Sequence, residues 1–186
     1  MEIKDKKYYK LLKTFLKGID GNVFLVGGAV LDCINDVRPK DYDLVCNPRK
    51  RDSLMSHLVE KGGFKYLYSS STADTFVNEL NQITIQILKT DVTKFDYTIN
   101  QAEINVESGI VNNLDTVSFK SKKLIPTEHS FSGKLEARNC LSRVKKMESK
   151  GYSLPKETRE SLERIVKISI FDRVKKLFNF TKTKES

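Results

Sequence analysis

The chain has 186 residues, 39% of them hydrophobic, and a net charge of +9 from 33 Lys and Arg against 24 Asp and Glu. That length suits one domain with a true core, or one domain plus a small helical appendage. No apolar run approaches the roughly 18 residues of a membrane-spanning helix. The start, Met1-Glu2-Ile3-Lys4-Asp5-Lys6-Lys7, is charged and has no apolar h-region, so no signal peptide is expected. Cys33, Cys46 and Cys140 are scattered without metal-ligand spacing and read as reduced thiols of a cytoplasmic protein. The basic excess points to a polyanionic partner such as RNA or nucleotide phosphate, with lysine-rich coding bias as the alternative source.

Tyr8, Leu11, Leu12, Phe15 and Leu16 fall at helical spacing over residues 5–18, and Gly18 and Gly21 break that helix. Val23–Val26 reads as a buried strand and Ala29–Asn35 as a short helix. Asp41-Tyr42-Asp43 leads a second strand through Leu44-Val45-Cys46. A helix over Lys50–Lys61 closes at Gly62-Gly63. Strands are expected at Phe64–Tyr68, Thr75–Leu80 and Ile83–Leu88, with Asn81-Gln82 as a turn. Another is expected at Gln101–Val106, ended by Ser108-Gly109. From Lys134 the period becomes helical: one helix to near Gly151, a second over Pro155–Lys167, a third through Ile170, Val174, Leu177 and Phe178. The reading is α+β: a mixed sheet with flanking helices over residues 1–125, a small helical neck over 126–180, and a polar tail over 181–186.

Chemistry concentrates at Phe24-Leu25-Val26-Gly27-Gly28 and Asp41-x-Asp43. Two glycines let a phosphate approach the backbone with no Cβ in the way. A helix starting there offers N–H groups to an anion. Residues two apart on a strand point to one face, so Asp41 and Asp43 can share a divalent ion. Taken alone, the glycines also fit a plain strand-to-helix turn, and the acids a solvated edge. His57 and His129 are isolated and read as surface or packing residues.

The pattern Leu25-Val26-Gly27-Gly28, Asp32, Asp41-x-Asp43 resembles the head of bacterial-type (class II) CCA-adding enzymes and poly(A) polymerases, within the DNA polymerase β nucleotidyltransferase superfamily. Lys94-Phe95-Asp96-Tyr97-Thr98-Ile99-Asn100 is similar to that family's Arg-Arg-Asp-Phe-Thr-Ile-Asn block. Gly151-Tyr152-Ser153-Leu154-Pro155-Lys156-Glu157-Thr158 resembles the join between its neck helices, and Ile168–Val174 the neck segment that follows. The resemblance implies a nucleotidyltransferase sheet and transfer of a nucleotide from a nucleoside triphosphate to an RNA 3′ end. It implies two Mg²⁺ ions on Asp41 and Asp43 as catalytic ligands. It implies nucleotide contacts from Gly27, Gly28, Asp32, Lys94, Asp96, Thr98 and Asn100. Glu136 and Asn139 fall at the family's base-reading positions, and Arg138 lies one residue off, about 100° round a helix. Leu31 stands where the family has Arg. Gln86 lies on the strand where a third carboxylate is expected, and Asp91 is the nearest acid. The family's tRNA-gripping body and tail have no counterpart in this chain, and a homo-oligomer could supply that grip.

Two other readings stand beside this one. One is a nucleotide- or RNA-binding module with weakened catalysis. The other is a transferase whose acceptor is a protein or a small molecule.

Overall fold

A computed structural model describes residues 1–19, 22–89 and 92–167. In chain order it contains α1 (Lys7–Phe15), β1 (Val23–Val26), α2 (Gly28–Ile34), β2 (Tyr42–Cys46), α3 (Arg51–Glu60), β3 (Lys65–Ser69), β4 (Ala73–Asn78), β5 (Ile83–Leu88), β6 (Glu103–Asn105), β7 (Val111–Asn112), α4 (Thr116–Ser121) and α5 (Lys134–Glu148). Residues 156–167 are also helical. The expected third helix through Ile170–Phe178, the neck segment Ile168–Val174, the tail 181–186, Gly21 and Asp91 lie outside the described residues.

The strands form one seven-stranded sheet in the order β3-β4-β5-β2-β1-β6-β7. β2 and β5 run parallel, and every other neighbouring pair is antiparallel. The parallel step is where α3 and the β3-β4 hairpin are inserted between β2 and β5. Strand alternation explains the burial pattern. Leu25, Tyr42, Leu44, Phe76, Ile85, Ile87 and Ile104 lie on one face and are essentially buried. Helices cover that face. The Tyr42 hydroxyl on it donates to the Tyr8 carbonyl of α1, and Arg51 of α3 reaches Asp74 of β4. Tyr9, Leu12, Val30, Leu31, Leu54 and Leu58 complete the core from the helix side. The other face mixes polar and apolar groups: Phe24, Asp43, Val45, Thr84, Gln86, Glu103 and Asn105 on it are half-buried.

Element lengths differ from the sequence reading in specific ways. The expected strand over Gln101–Val106 shortens to β6, because Thr98–Gln101 winds into a 3-10 turn first. Asp41 stands in the bend just before β2 instead of within it. Polar α4 and the two-residue β7 have too little apolar periodicity to be read from sequence. His57 is buried, and its Nε2 lies 3.1 Å from the Phe15 carbonyl oxygen, a packing role.

The chain divides into two compact units. The first comprises Met1–Lys94 with Ile99–Asp115, and the second Phe95–Thr98 with the chain from Thr116 onward. The second unit has its own core around Tyr97, Leu124, Ala137, Cys140, Val144 and Leu162. The Tyr97 hydroxyl donates to the Cys140 carbonyl, and the Thr98 amide to the Ile125 carbonyl. Lys122 lies 4.6 Å from the ring centroids of both Phe119 and Tyr152, tying α4 to the turn that follows α5.

Within the first unit an ion-pair cluster closes the helix-covered face. Asp74 is 5% exposed. The Arg51 guanidinium donates to it from Nε at 3.0 Å and also from Nη2, and Lys89 Nζ lies 3.2 Å from its other oxygen. Arg51 further donates to the Ile87 and Leu88 carbonyls. Burial alone would raise the Asp74 carboxyl. Hydrogen bonds from Ser69, Arg51 and Lys89 outweigh it and hold the group down at about 2. A lowered folded-state value stabilises the protein above the ordinary carboxylate range, and that stability is lost as pH falls toward 2. Thermal melts from pH 5 to 2.5 should therefore lose stability in the native chain and change less in Asp74→Asn. Arg51→Met should cost about 3 kcal/mol at pH 7, since it leaves a buried carboxylate short of its main partner.

Candidate functional site

The register of β1 against β2 assembles the first group of residues. Val26 pairs with Asp43, so the Gly27-Gly28 turn leaves β1 beside the Asp41-Tyr42 entry to β2. Adjacent strands lie about 4.8 Å apart, which puts the turn and the acids at one end of the sheet. Gly27 has φ 70° and ψ −150°, a left-handed conformation that disfavours any Cβ, and its carbonyl accepts from the Val30 amide. Gly28 opens α2, which is only seven residues long and bears no acid in its first turn. Such a short helix adds little dipole, so what the turn offers a phosphate is close backbone approach.

Asp41 and Asp43 are half-buried, with Tyr42 between them buried on the opposite face. Asp32 of α2 lies within electrostatic reach of the Tyr42 hydroxyl. That hydroxyl is pushed up first by burial and then by Cys33, Tyr8 and Asp32, against the lowering effect of Arg38. Lys94 is exposed in the first unit. Asn100, in the same unit, is 8% exposed, and its side-chain Oδ1 accepts no hydrogen bond among the described residues. No group of three or more His, Cys, Asp or Glu side chains with metal-binding geometry occurs among the described residues.

In the second unit the focus is Asp96, 5% exposed. Its backbone carbonyl accepts from the Thr127 amide and the Ser130 hydroxyl. Arg143 Nη1 of α5 lies 2.6 Å from its Oδ2, yet that oxygen accepts no well-aligned hydrogen bond. The contact is an ion pair set off the N–H direction. Burial pushes the Asp96 carboxyl up, and Arg143 and His129 only partly offset this.

Arg143 has no place in the sequence reading, which looked to Arg138. The helical wheel places Arg143 on the stripe of Glu136. Residues three, four and seven apart share a helix stripe, so Glu136, Asn139 and Arg143 line up. Arg138 is two residues from Glu136 and points elsewhere. The i+7 step from Glu136 was the available signal. Glu136 also has a structural role. It sits in the first turn of α5, and its Oε2 occupies the space a Cβ on the capping residue Gly133 would need. Asn139 and Arg138 are exposed. Thr98 belongs to the second unit, and its amide N–H donates to the Ile125 carbonyl there.

A mixed seven-stranded sheet with this strand order and helices on one face is a nucleotidyltransferase fold, and comparison with solved structures agrees. The Thermotoga maritima CCA-adding enzyme in complex with tRNA matches with a TM-score of 0.65 at 17% identity, over 89% of this chain and 42% of that one. A tRNA-processing enzyme in an apo form matches with a TM-score of 0.68 at 15% identity, over 90% and 49%. A tRNA nucleotidyltransferase bound to a primer tRNA and an incoming ATP analogue matches with a TM-score of 0.61 at 16% identity, over 86% and 51%. The chain thus spans about half, or less, of the length of these structures, and at such identities the likeness establishes the fold. No family model matches the sequence, and no curated protein matches it.

The raised Asp96 carboxyl has a testable sign. Folding favours its protonated form, so its contribution to stability falls as pH rises through the carboxylate range and levels off above the folded-state value. Asp96→Asn should keep or raise Tm at pH 7. Arg143→Gln should lower Tm and move the Asp96 titration further up, read from its carboxyl carbon by NMR. A downward move would contradict the account.

Proposed function

We propose that the chain is a metal-dependent nucleotidyltransferase that moves a nucleoside monophosphate from a nucleoside triphosphate to the 3′ end of an RNA. The observation that carries this is the register that sets a left-handed glycine turn beside Asp41-x-Asp43 on neighbouring strands. The fold supports it. So do similar structures of CCA-adding enzymes, which are complexes with tRNA, CTP or ATP.

The residues fit the expected metal. Mg²⁺ is commonly held by one or two carboxylates plus substrate phosphates, and Asp41 and Asp43 offer hard oxygens from half-buried positions at the end of the sheet. Asp41 makes no side-chain hydrogen bond or ion pair among the described residues that would compete for it. When bound, Mg²⁺ supplies Lewis-acid stabilisation of the phosphates and favours the ionised 3′-hydroxyl. Two ions are the proposed number. The RNA 3′-hydroxyl gives its proton to solvent, its oxygen bonds to the α-phosphorus, and the bond from that phosphorus to the β-phosphate oxygen breaks to release pyrophosphate. This chain's part is to place those groups: Asp41 and Asp43 hold the charge, and Gly27 and Gly28 admit the triphosphate. No protein base is required, and His57 packs against the Phe15 carbonyl.

In this reading the first unit is the catalytic head and the second the neck. Asp96, Thr98 and Asn100, with Lys94 and Asp32, are proposed to serve the nucleotide. A base-reading role is proposed for the stripe Glu136, Asn139 and Arg143 of the second unit. The exposed basic side chains Arg138, Lys145 and Lys146 of α5 suit an RNA backbone.

The test is incubation of the chain with Mg²⁺, each labelled nucleoside triphosphate, and tRNA lacking its 3′ end. Incorporation into the RNA is expected, reduced at least about a hundredfold in Asp41→Ala and Asp43→Ala. No incorporation, or equal incorporation by the double variant, overturns the proposal. Nucleotide binding without turnover would instead assign a binding module.

A further inference from the structure

On the mixed face of the sheet a single row of paired residues crosses five strands: Glu103 of β6, Val26 of β1, Asp43 of β2, Gln86 of β5 and Thr75 of β4. Directly paired residues project to the same face. Gln86 is therefore the neighbour of Asp43 on one side, one strand spacing of about 4.8 Å away. On the other side Val26 intervenes, and Glu103 is two spacings away, about 10 Å. Gln86 is thus the nearer polar neighbour of Asp43 in this row. Gln86 is half-buried, and its amide makes no hydrogen bond among the described residues.

We infer that Gln86 is the third oxygen donor of the Asp41–Asp43 site, and that its neutral amide keeps a third carboxylate charge out of that site. This rests on the reading of Asp41 and Asp43 as metal ligands. A glutamine keeps the reach and one oxygen of a glutamate but brings no charge. Divalent-cation affinity follows the number of charged ligands. A site with two carboxylates instead of three binds the ion weakly until a triphosphate adds its own anionic oxygens. Metal and nucleotide then arrive together, and the empty site escapes the mutual repulsion of three clustered carboxylates. Gln86 is a positioning and affinity-setting residue here.

The experiment is Mn²⁺ binding to the full chain, followed by electron paramagnetic resonance of free Mn²⁺, with and without a non-hydrolysable nucleoside triphosphate. The native chain should bind Mn²⁺ weakly alone and at least about tenfold more tightly with nucleotide. Glu at the position (Gln86→Glu) should raise the nucleotide-free affinity about tenfold or more and shrink the effect of nucleotide. Gln86→Leu should weaken the nucleotide-dependent binding while circular dichroism stays native. Unchanged Mn²⁺ affinity in both variants, with binding still abolished by Asp41→Asn/Asp43→Asn, overturns this inference alone. Native protein that binds no Mn²⁺ even with nucleotide overturns it together with the proposed metal site.

Discussion

The pairing of β1 with β2 is the constraint on which the end of the sheet depends. Leu25 faces Leu44, and both are fully buried. Each such side chain contributes about 1.5–3 kcal/mol by leaving water. A one-residue slip would turn Leu44 outward and carry Asp43 into the helix-covered core. The leucines therefore place the carboxylate. Their neighbours on β5, Ile85 and Ile87, hold β2 from the other side in parallel register. Chemistry at the rim is fixed by apolar packing a few ångströms behind it.

Two buried acids show how the same residue type can serve opposite ends. Asp74 and Asp96 are equally buried, and each meets an arginine. Asp74 has its oxygens matched by Arg51, Lys89 and Ser69, and its carboxyl falls below the usual range. Asp96 has one off-line guanidinium and a buried oxygen without a hydrogen bond, and its carboxyl rises. The first arrangement strengthens the fold. The second leaves polar capacity unspent at some cost to it, the pattern expected where a group serves a ligand.

Much of this architecture was legible because the covered face imposes a period. Ile83, Ile85 and Ile87 alternate cleanly, so β5 could be read to its bounds. The turn at Asn81-Gln82 was visible for a local reason, and Gln82 does adopt φ 51°. Less was visible where tertiary contact decides. Ile99 and Ala102 are apolar and buried, yet Thr98–Gln101 winds into a 3-10 turn, a choice that local propensity does not make. The juxtaposition of Asp43 with Gln86 needed the strand order, since β2 and β5 are separated in sequence by a helix and a hairpin. The Arg143–Asp96 ion pair lay outside the sequence reading, because it joins residues 47 apart in the chain and needed the fold.

The short passage Phe95–Thr98 carries a consequence for synthesis. It lies between two stretches of the first unit but packs with the second, where Tyr97 is fully buried and bonds to Cys140, 43 residues further on. A ribosome delivers β6, and with it the second neighbour of β1, well before it delivers α5. The emerging chain thus completes its sheet while a tyrosine and an acid carried between the two stretches of the first unit still face water. Translation that halts short of α5 leaves them there permanently, and neither unit can be cut out as one continuous piece of the gene.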